Sequence, residues 1–468
     1  MPTIPAHPSK RGRAPGRATR LLSAVLALGL ARGPIAAEDP ALHWPSFRGP
    51  RASGISEGKP LPARWEVASG QGIAWKTRIP GLGHSSPIIW GDRLIVTSAM
   101  GPADEPSLRV GLYGDIGSVP DEGVHRFNVH CLDRTTGRIL WERTAHTGVP
   151  RIKRHTKASH ANSTPATDGK RVIAFFGTEG LHALDMEGNP LWKRELGLLD
   201  SGYFRAPEAQ WGFGSSPVIH EDLVIVQCDV QGGGFLAAFR LSDGQEVWRT
   251  PRKDVPTWST PTLYSDGSSA RVAVNGWKRI AGYDAATGKE LWWLQGGGDI
   301  PVPTPVAARG LIFITNAHGG PSPVYAVAVD ARGEIGPAGS PPGRGLAWSA
   351  ERGGAYMQTP IVYGDHLYVC RDNGALSVFD ARTGRVLHER RLGGGTSGFT
   401  ASAVAGDGKL YYTAESGEVL VLRAGPEPEL IATNELGDIA MATPALSGGA
   451  IYFRTRSHVI AVDGRTGP

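Results

Sequence analysis

Residues 283–293 read YDAATGKELWW, an acidic turn closed by Thr287-Gly288 and followed by two adjacent tryptophans. The same pattern recurs along the chain: LDRTTGRILW ends at Trp141, LDMEGNPLW at Trp192, RLSDGQEVW at Trp248 and FDARTGRVLH at His388. In each, the ring stands four residues after a turn glycine (Gly137, Gly188, Gly244, Gly288, Gly384). A sixth copy, VDARGEI, reaches Trp348 only after a Gly/Pro-rich insertion. A recurring Asp-x-x-Thr-Gly turn before a strand is a structural repeat. The Asp and Thr bond backbone N–H groups, and the glycine accepts positive φ.

A second marker precedes each unit: Ser86-Pro87, Thr164-Pro165, Ser216-Pro217, Thr260-Pro261, Thr304-Pro305, Thr359-Pro360 and Thr443-Pro444, with Thr400-Ala401-Ser402-Ala403 as a degenerate copy. Short apolar runs joined by GD, DG or GG follow, as in PIVYGDHLYVCR, and these are β-hairpin signals. Each unit is then a hairpin, a third strand ending at the Asp turn, and a fourth strand carrying the ring. Eight starts at this spacing predict an all-β, eight-bladed β-propeller. The chain ends in a turn, VDGRTGP, before its last fourth strand, while IAWKTRIPG (73–81) mirrors ILWERTAHTG (139–148). An N-terminal strand bearing Trp75 is therefore expected to close the last blade and remove its exposed edge. Trp75, Trp141, Trp192, Trp248, Trp292 and Trp348 are expected to act as structural docking residues between blades, each contributing roughly 2–3 kcal/mol by burial.

Residues 1–37 differ from the rest. A basic stretch precedes the apolar run LLSAVLALGLA (21–31) and small residues at Ala36 and Ala37, the order of a secretory signal peptide. The run is shorter than the ~20 residues a membrane span needs. The expected organisation is a signal peptide over 1–37, an N-terminal arm over 38–72 and a propeller over 73–468. This implies a periplasmic or extracellular protein with no membrane span after cleavage. Removing the six basic residues of 1–37 from the formal +5 leaves about −1, so no electrostatic case for nucleic acid remains. Cys131, Cys228 and Cys370 lie in strand-like runs, as buried thiols or with one long-range bridge; without C-x-x-C, neither c-type haem nor a Cys-based zinc site is indicated.

The repeat resembles the tryptophan-docking repeat of quinoprotein-type, PQQ-binding-like β-propellers, over residues 73–467. WPSFRGPRASG (44–54) is similar to the entry segment of exported propellers of that kind. The group includes BamB-like propellers, which are not enzymes, and quinoprotein alcohol dehydrogenase-like enzymes. For the enzymes the resemblance implies an Asp base, Glu and Asn ligands to Ca²⁺, an Arg over PQQ, a Trp floor and adjacent cysteines. No adjacent cysteine pair exists here, and the other residues have no identifiable counterpart. The first expectation is thus a non-catalytic binding or scaffold module of the cell envelope, with a protein or an envelope glycan as partner. A PQQ/Ca²⁺-dependent oxidoreductase is the alternative.

The residues before each Ser/Thr-Pro should line the mouth of the propeller's central funnel. These are His84, His160, Asn162, Trp211, Trp258, Met357 and Gln358, with Phe399 and Met441 in later blades. Aromatic walls with a few polar groups are the usual make-up of a ligand pocket. His84, His160, Trp211 and Trp258 in particular are expected to share one cavity. No metal site is assigned, because no Asp or Glu accompanies His155 and His160 in RIKRHTKASHANSTP. Residues 101–124 form a long Gly/Pro-rich insertion of the kind that serves as a binding loop.

Overall fold

The computed structural model describes residues 42–103, 106–112, 117–336, 345–394 and 398–464; the expected signal peptide lies outside them. Among the described residues, eight mainly antiparallel sheets of four or five strands follow one another along the chain, and Ser118–Val119 pairs with Arg154–His155 as a separate two-stranded ribbon. The first blade runs outward through Ile88–Trp90, Arg93–Met100, His125–Asp133 and Ile139–Gly148. Strands second from the axis lie between neighbouring sheets and carry apolar runs, so all six residues of Leu223–Cys228 are buried. Fourth strands face solvent on one side and alternate, as in Glu246–Arg252.

The eighth blade is built from both ends of the chain. Ala445–Ser447, Ala450–Arg454 and His458–Val462 are completed by Ile73–Arg78. This strand pairs antiparallel with His458–Val462, with Trp75 opposite Ala461 and Arg78 opposite His458. The three cysteines are free and buried.

The repeat motif has one geometry at five blade junctions. The rings of Trp75, Trp141, Trp192, Trp248 and Trp348 lie over the turn glycine of the next blade, respectively Gly137, Gly188, Gly244, Gly288 and Gly384. Each indole N–H donates to a turn carbonyl of that blade: Trp75 to Arg134 O at 2.9 Å, Trp141 to Met186 O at 3.0 Å, and Trp192, Trp248 and Trp348 to Leu241, Ala285 and Ala381. The residue two after the Trp adds a bond to the turn glycine's carbonyl. Thr77, Arg143, Arg194 and Thr250 do so for Gly137, Gly188, Gly244 and Gly288.

Trp292 departs from this geometry. It is fully buried and donates to Tyr264 Oη within its own blade at 2.9 Å. Two features redirect it. The residue opposite on the third strand is Gly282, where the docking rings face Ala or Cys, and a Cβ there would collide with the indole nitrogen. In the receiving turn, Gly333–Glu334 adds to Trp292–Trp293 as a parallel fifth strand instead of presenting a glycine face. Trp292 still packs between blades four and five, among Ile312, Ile314 and Tyr325.

The Ser/Thr-Pro marker also has a geometric meaning. The Ser86 N–H donates to Thr164 Oγ1 at 2.9 Å, and Thr164 N–H to Ser216 Oγ at 2.9 Å. The chain continues through Thr260, Thr304, Thr359 and Ser402 to Thr443, at 3.0–3.2 Å per link. Seven consecutive junctions are thus joined by one hydroxyl belt around the axis. The degenerate copy keeps its link, because Ser402 retains the hydroxyl where the Pro is lost.

Residues 44–56 cross the propeller from blade one to blade seven. Trp44 pairs with Ile89 of the first blade's inner strand, Pro45 O accepts from Thr167 N–H of the second, and Ile55 pairs with Ala405 of the seventh. Midway, the buried Arg48 guanidinium donates to the carbonyls of Ala403 (2.8 Å), Pro360 (3.0 Å), Ala52 (3.2 Å) and Ser53 (3.3 Å). No carboxylate joins them, and burial pushes its pKa down to about 9.

Candidate functional site

A cavity of about 320 Å³ lies on the propeller axis. All eight belt residues line it, and Phe47 of the crossing arm reaches it. The arm meets inner strands beyond the belt residues, whereas the mouth is formed by residues before them. The arm therefore floors the cavity.

The runs leading into the inner strands supply its lining. The residue two before each belt hydroxyl lines the cavity with it. His84, Asn162, Gly214 and Trp258 from blades one to four line the cavity, as do Val302, Met357, Thr400 and Met441 from blades five to eight. Of the residues expected from sequence, His84, Asn162, Trp211, Trp258 and Met357 are there. Gln358, one residue before its belt hydroxyl, is buried and does not line the cavity; Phe399 is instead in the core between blades six and seven. His160, four residues before, faces a separate void of about 20 Å³ with Phe127, Phe176 and Glu179. Of the four residues expected to meet, His84, Trp211 and Trp258 line one cavity and His160 lies in another.

Trp211 reaches the cavity from the 196–214 insertion, which also supplies Tyr203. These two rings stack in parallel, with centroids 5.4 Å apart and planes 3° apart, and Trp211 lies 5.7 Å from Trp258. Trp258 Nε1 donates to Gly212 O at 2.8 Å, fixing its ring. His318 lies edge-on to Tyr203 at 5.8 Å and tilted against Tyr356 at 5.4 Å. The result is a box of five rings. Sequence offers no spacing that finds Tyr203 or His318, because each comes from a loop outside the repeat, whereas Tyr356 stands beside Met357, three residues before its belt hydroxyl.

The polar groups are mostly paired. Glu415 Oε1 accepts from Lys157 Nζ (2.7 Å) and Thr400 Oγ1 (2.5 Å), and Oε2 from the Gly111 N–H (2.8 Å). Asn162 Oδ1 accepts from the Ser159 N–H (2.9 Å), and its Nδ2 donates to Phe213 O (3.1 Å). Asp299 behind the ring box holds His318 at 2.5 Å and Arg205 at 3.1 Å. His84 Nε2 is buried without a hydrogen bond. Burial, then the charges of Arg454 and Arg154, push its pKa down to about 3, so the ring is neutral.

The PQQ and Ca²⁺ implied by the family resemblance can be tested against these donors. Calcium takes about six to eight oxygen ligands. The carboxylates among the described lining residues are Asp372 and Glu415, and Glu415 is already neutralised by Lys157. Among the described lining residues Lys157 is also the sole Lys or Arg, and its partner is Glu415, so none of them offers a free cation to an anionic quinone. The residues present do not fit that pair.

The insertion places Asp121 beside His160, with Asp121 Oδ2 3.0 Å from His160 Nε2 and 2.6 Å from Arg154 Nε. Burial acts to raise the Asp121 pKa, but the His160 hydrogen bond and the Arg154 guanidinium outweigh it and bring it to about 2. For His160, burial outweighs the Asp121 contact and lowers the pKa. Asp121, His125 and His160 present ligand atoms within 4.8 Å of one another. Sequence reading missed this group, since the acid that accompanies His160 lies 39 residues away.

Fold and cavity together define the class: an eight-bladed propeller of tryptophan-bearing repeats enclosing a ligand-sized axial chamber. The family model described as outer membrane protein assembly factor BamB matches residues 57–196, 126–257 and 232–468, and the chain belongs to that family. Among curated proteins, it is similar to the tetrathionate hydrolase of Acidithiobacillus ferrooxidans, 24% identical over 278 residues and 52% of each chain. It is also similar to BamB of Burkholderia pseudomallei, 31% identical over 124 residues, 26% of this chain and 31% of that one. The matches thus span about half or less of these relatives' lengths. Among solved structures, a europium-containing methanol dehydrogenase superposes with a TM-score of 0.63 at 14% identity, covering 89% of this chain and 90% of that one. That likeness concerns the fold. No helix among the described residues is long and apolar enough to cross a membrane.

Proposed function

We propose that this chain is an exported, non-catalytic binding module of the cell envelope whose axial cavity receives a sugar ring of an envelope glycan. The observation that carries the reading is the box of Tyr203, Trp211, Trp258, His318 and Tyr356 around a cavity whose polar groups are mostly paired. Aromatic faces stack on flat, weakly polar surfaces, and a few fixed polar groups set orientation. Kinship with an assembly factor supports the non-catalytic reading. The oxidoreductase alternative draws on the structural likeness to a methanol dehydrogenase, but the donor set described above argues against it. Kinship with a hydrolase shows that related chains carry chemistry, but the Thr400 hydroxyl that lies on Glu415 in this cavity shares that carboxylate with Lys157 and the Gly111 N–H, which argues for a structural role.

Tryptophan emission gives a direct test, because Trp211 and Trp258 report from inside the cavity. Titration with soluble cell-wall glycan fragments should give a saturable change. Trp258→Ala should weaken binding about tenfold, a loss of roughly 1.4 kcal/mol, and leave the melting transition near wild type. Trp292→Ala should do the reverse, costing about 3–5 kcal/mol of stability while sparing affinity. Saturation by a partner-protein peptide instead of glycan would reassign the ligand. Stoichiometric PQQ uptake with Ca²⁺-dependent dye reduction would overturn the non-catalytic reading.

A further inference from the structure

We propose that Asp121, His125 and His160 form a zinc site, separate from the axial cavity, between the first blade's insertion and the start of the second blade. The three residues come from different segments. Asp121 lies in the insertion, His125 opens the third strand of blade one, and His160 precedes the inner strand of blade two. Their ligand atoms already lie within 4.8 Å of one another. A tetrahedral zinc ion with bonds of about 2.0–2.1 Å holds its donors roughly 3.4 Å apart, so closure needs side-chain rotations on the order of 1 Å.

The surroundings favour ligation over a simple ion pair. His125 Nδ1 lies 2.8 Å from Gly123 O, and since a carbonyl only accepts, Nδ1 carries the proton. Nε2 then bears the lone pair, the arrangement by which a backbone carbonyl orients a metal-binding imidazole. Space beside that nitrogen is kept by Gly101, where a Cβ would sit 2.5 Å from His125 Nε2. His160 Nε2 already points at Asp121 Oδ2, so an ion would replace the shared proton. Arg154, itself buried, grips the same carboxylate from outside at 2.6 Å and is anchored in turn on Ala158 O at 2.9 Å. It would act as a positioning residue that fixes the carboxylate's direction.

The donor set narrows the metal. Two imidazoles and one carboxylate suit Zn²⁺ and also Fe²⁺, whereas Ca²⁺ prefers an all-oxygen shell and copper(I) prefers sulfur, and of the two Zn²⁺ is the ion without redox chemistry. Three protein ligands leave the fourth position to water or an exogenous group. Arg154 offsets the single carboxylate charge, so that position would favour an anion.

The experiment uses the full chain, purified without a histidine tag and stripped with chelator. Equilibrium dialysis against Zn²⁺ should give one ion per chain, and Co²⁺ should show the visible absorption of a tetrahedral site. His125→Ala and His160→Ala should each weaken Zn²⁺ binding by at least about tenfold and abolish the cobalt band. Arg154→Met should weaken binding about 10–100-fold, as loss of an outer-shell partner does. Should a histidine variant fail to fold, Asp121→Asn decides, since it keeps the shape and removes the charged ligand. Absence of saturable Zn²⁺ binding, or binding unaltered in the folded variants, would overturn the site.

Discussion

The turn glycines show how much one hydrogen atom can decide. Gly137 has φ 72°, and a Cβ placed on it would stand 2.5 Å from the ring of Trp75. Gly137→Ala therefore meets both a disfavoured backbone and a ring that cannot yield, since its N–H is held by Arg134 O. The substitution should cost about 2–4 kcal/mol, combining left-handed strain with overpacking. Urea melts would show it as a lower midpoint with unchanged slope. Gly232, with φ 82° and open space around its missing Cβ, is the matched control and should lose only about 1 kcal/mol. The adjoining Asp133 caps the same turn, with Oδ1 accepting from the N–H groups of Thr135 (3.0 Å) and Thr136 (2.8 Å) and from Thr136 Oγ1 (2.9 Å).

At the scale of the element, the closing strand makes the sharpest claim. Ile73–Arg78 has no covalent link to the strand it completes, so its attachment rests on backbone pairing and on Trp75. Trp75→Ala should destabilise by about 3–5 kcal/mol. Hydrogen exchange should quicken first in His458–Val462, the partner strand. A loss under about 1 kcal/mol would mean that closure does not depend on this ring. The blades, their number and this split sheet were all legible in the sequence, because each depends on local signals repeated eight times. Trp292 was misplaced because docking depends equally on a receiver, and the receiving turn lies some 40 residues on in a degenerate copy. Two clues were nonetheless present. Leu294 stands where docking units other than Trp348 carry a Thr or Arg, and Gly282 leaves room for the ring to fold inward. The candidate cavity was half legible for a similar reason. A fixed offset of two from the belt hydroxyl finds its repeat-borne lining, whereas Tyr203 and His318 sit on loops that follow no period. Asp121 and His125 meet His160 only through the path of an insertion.

For the whole molecule, acid is the informative perturbant. Burial holds the pKa of His84 at about 3 and that of His182 at about 4, both below the ordinary imidazole value of about 6.5. Below pH 6.5 the unfolded chain therefore binds protons at both sites that the folded chain refuses, and His160, His146 and His458, whose pKa values are also lowered, add to the difference. Stability is complete above that pH and falls as pH drops toward 4 and then 3. The slope should approach roughly 2.8 kcal/mol per pH unit where both histidines contribute. Denaturant midpoints measured from pH 8 to pH 4.5 should trace this decline, and a His84→Gln/His182→Gln variant should flatten it. A wild-type curve that is already flat would show that these rings are protonated in the fold.

The crossing arm carries a consequence for the closure of the ring. Trp44 and Ile55 are tied to the first and seventh blades, and Arg48 is anchored on the sixth and seventh between them. Blades one and seven flank the eighth, the one blade assembled from both ends of the chain, so the arm is a strap across the ring's only split sheet among the described residues. Cut at the arm, the ring would lose the brace that keeps the two neighbours of that seam in place.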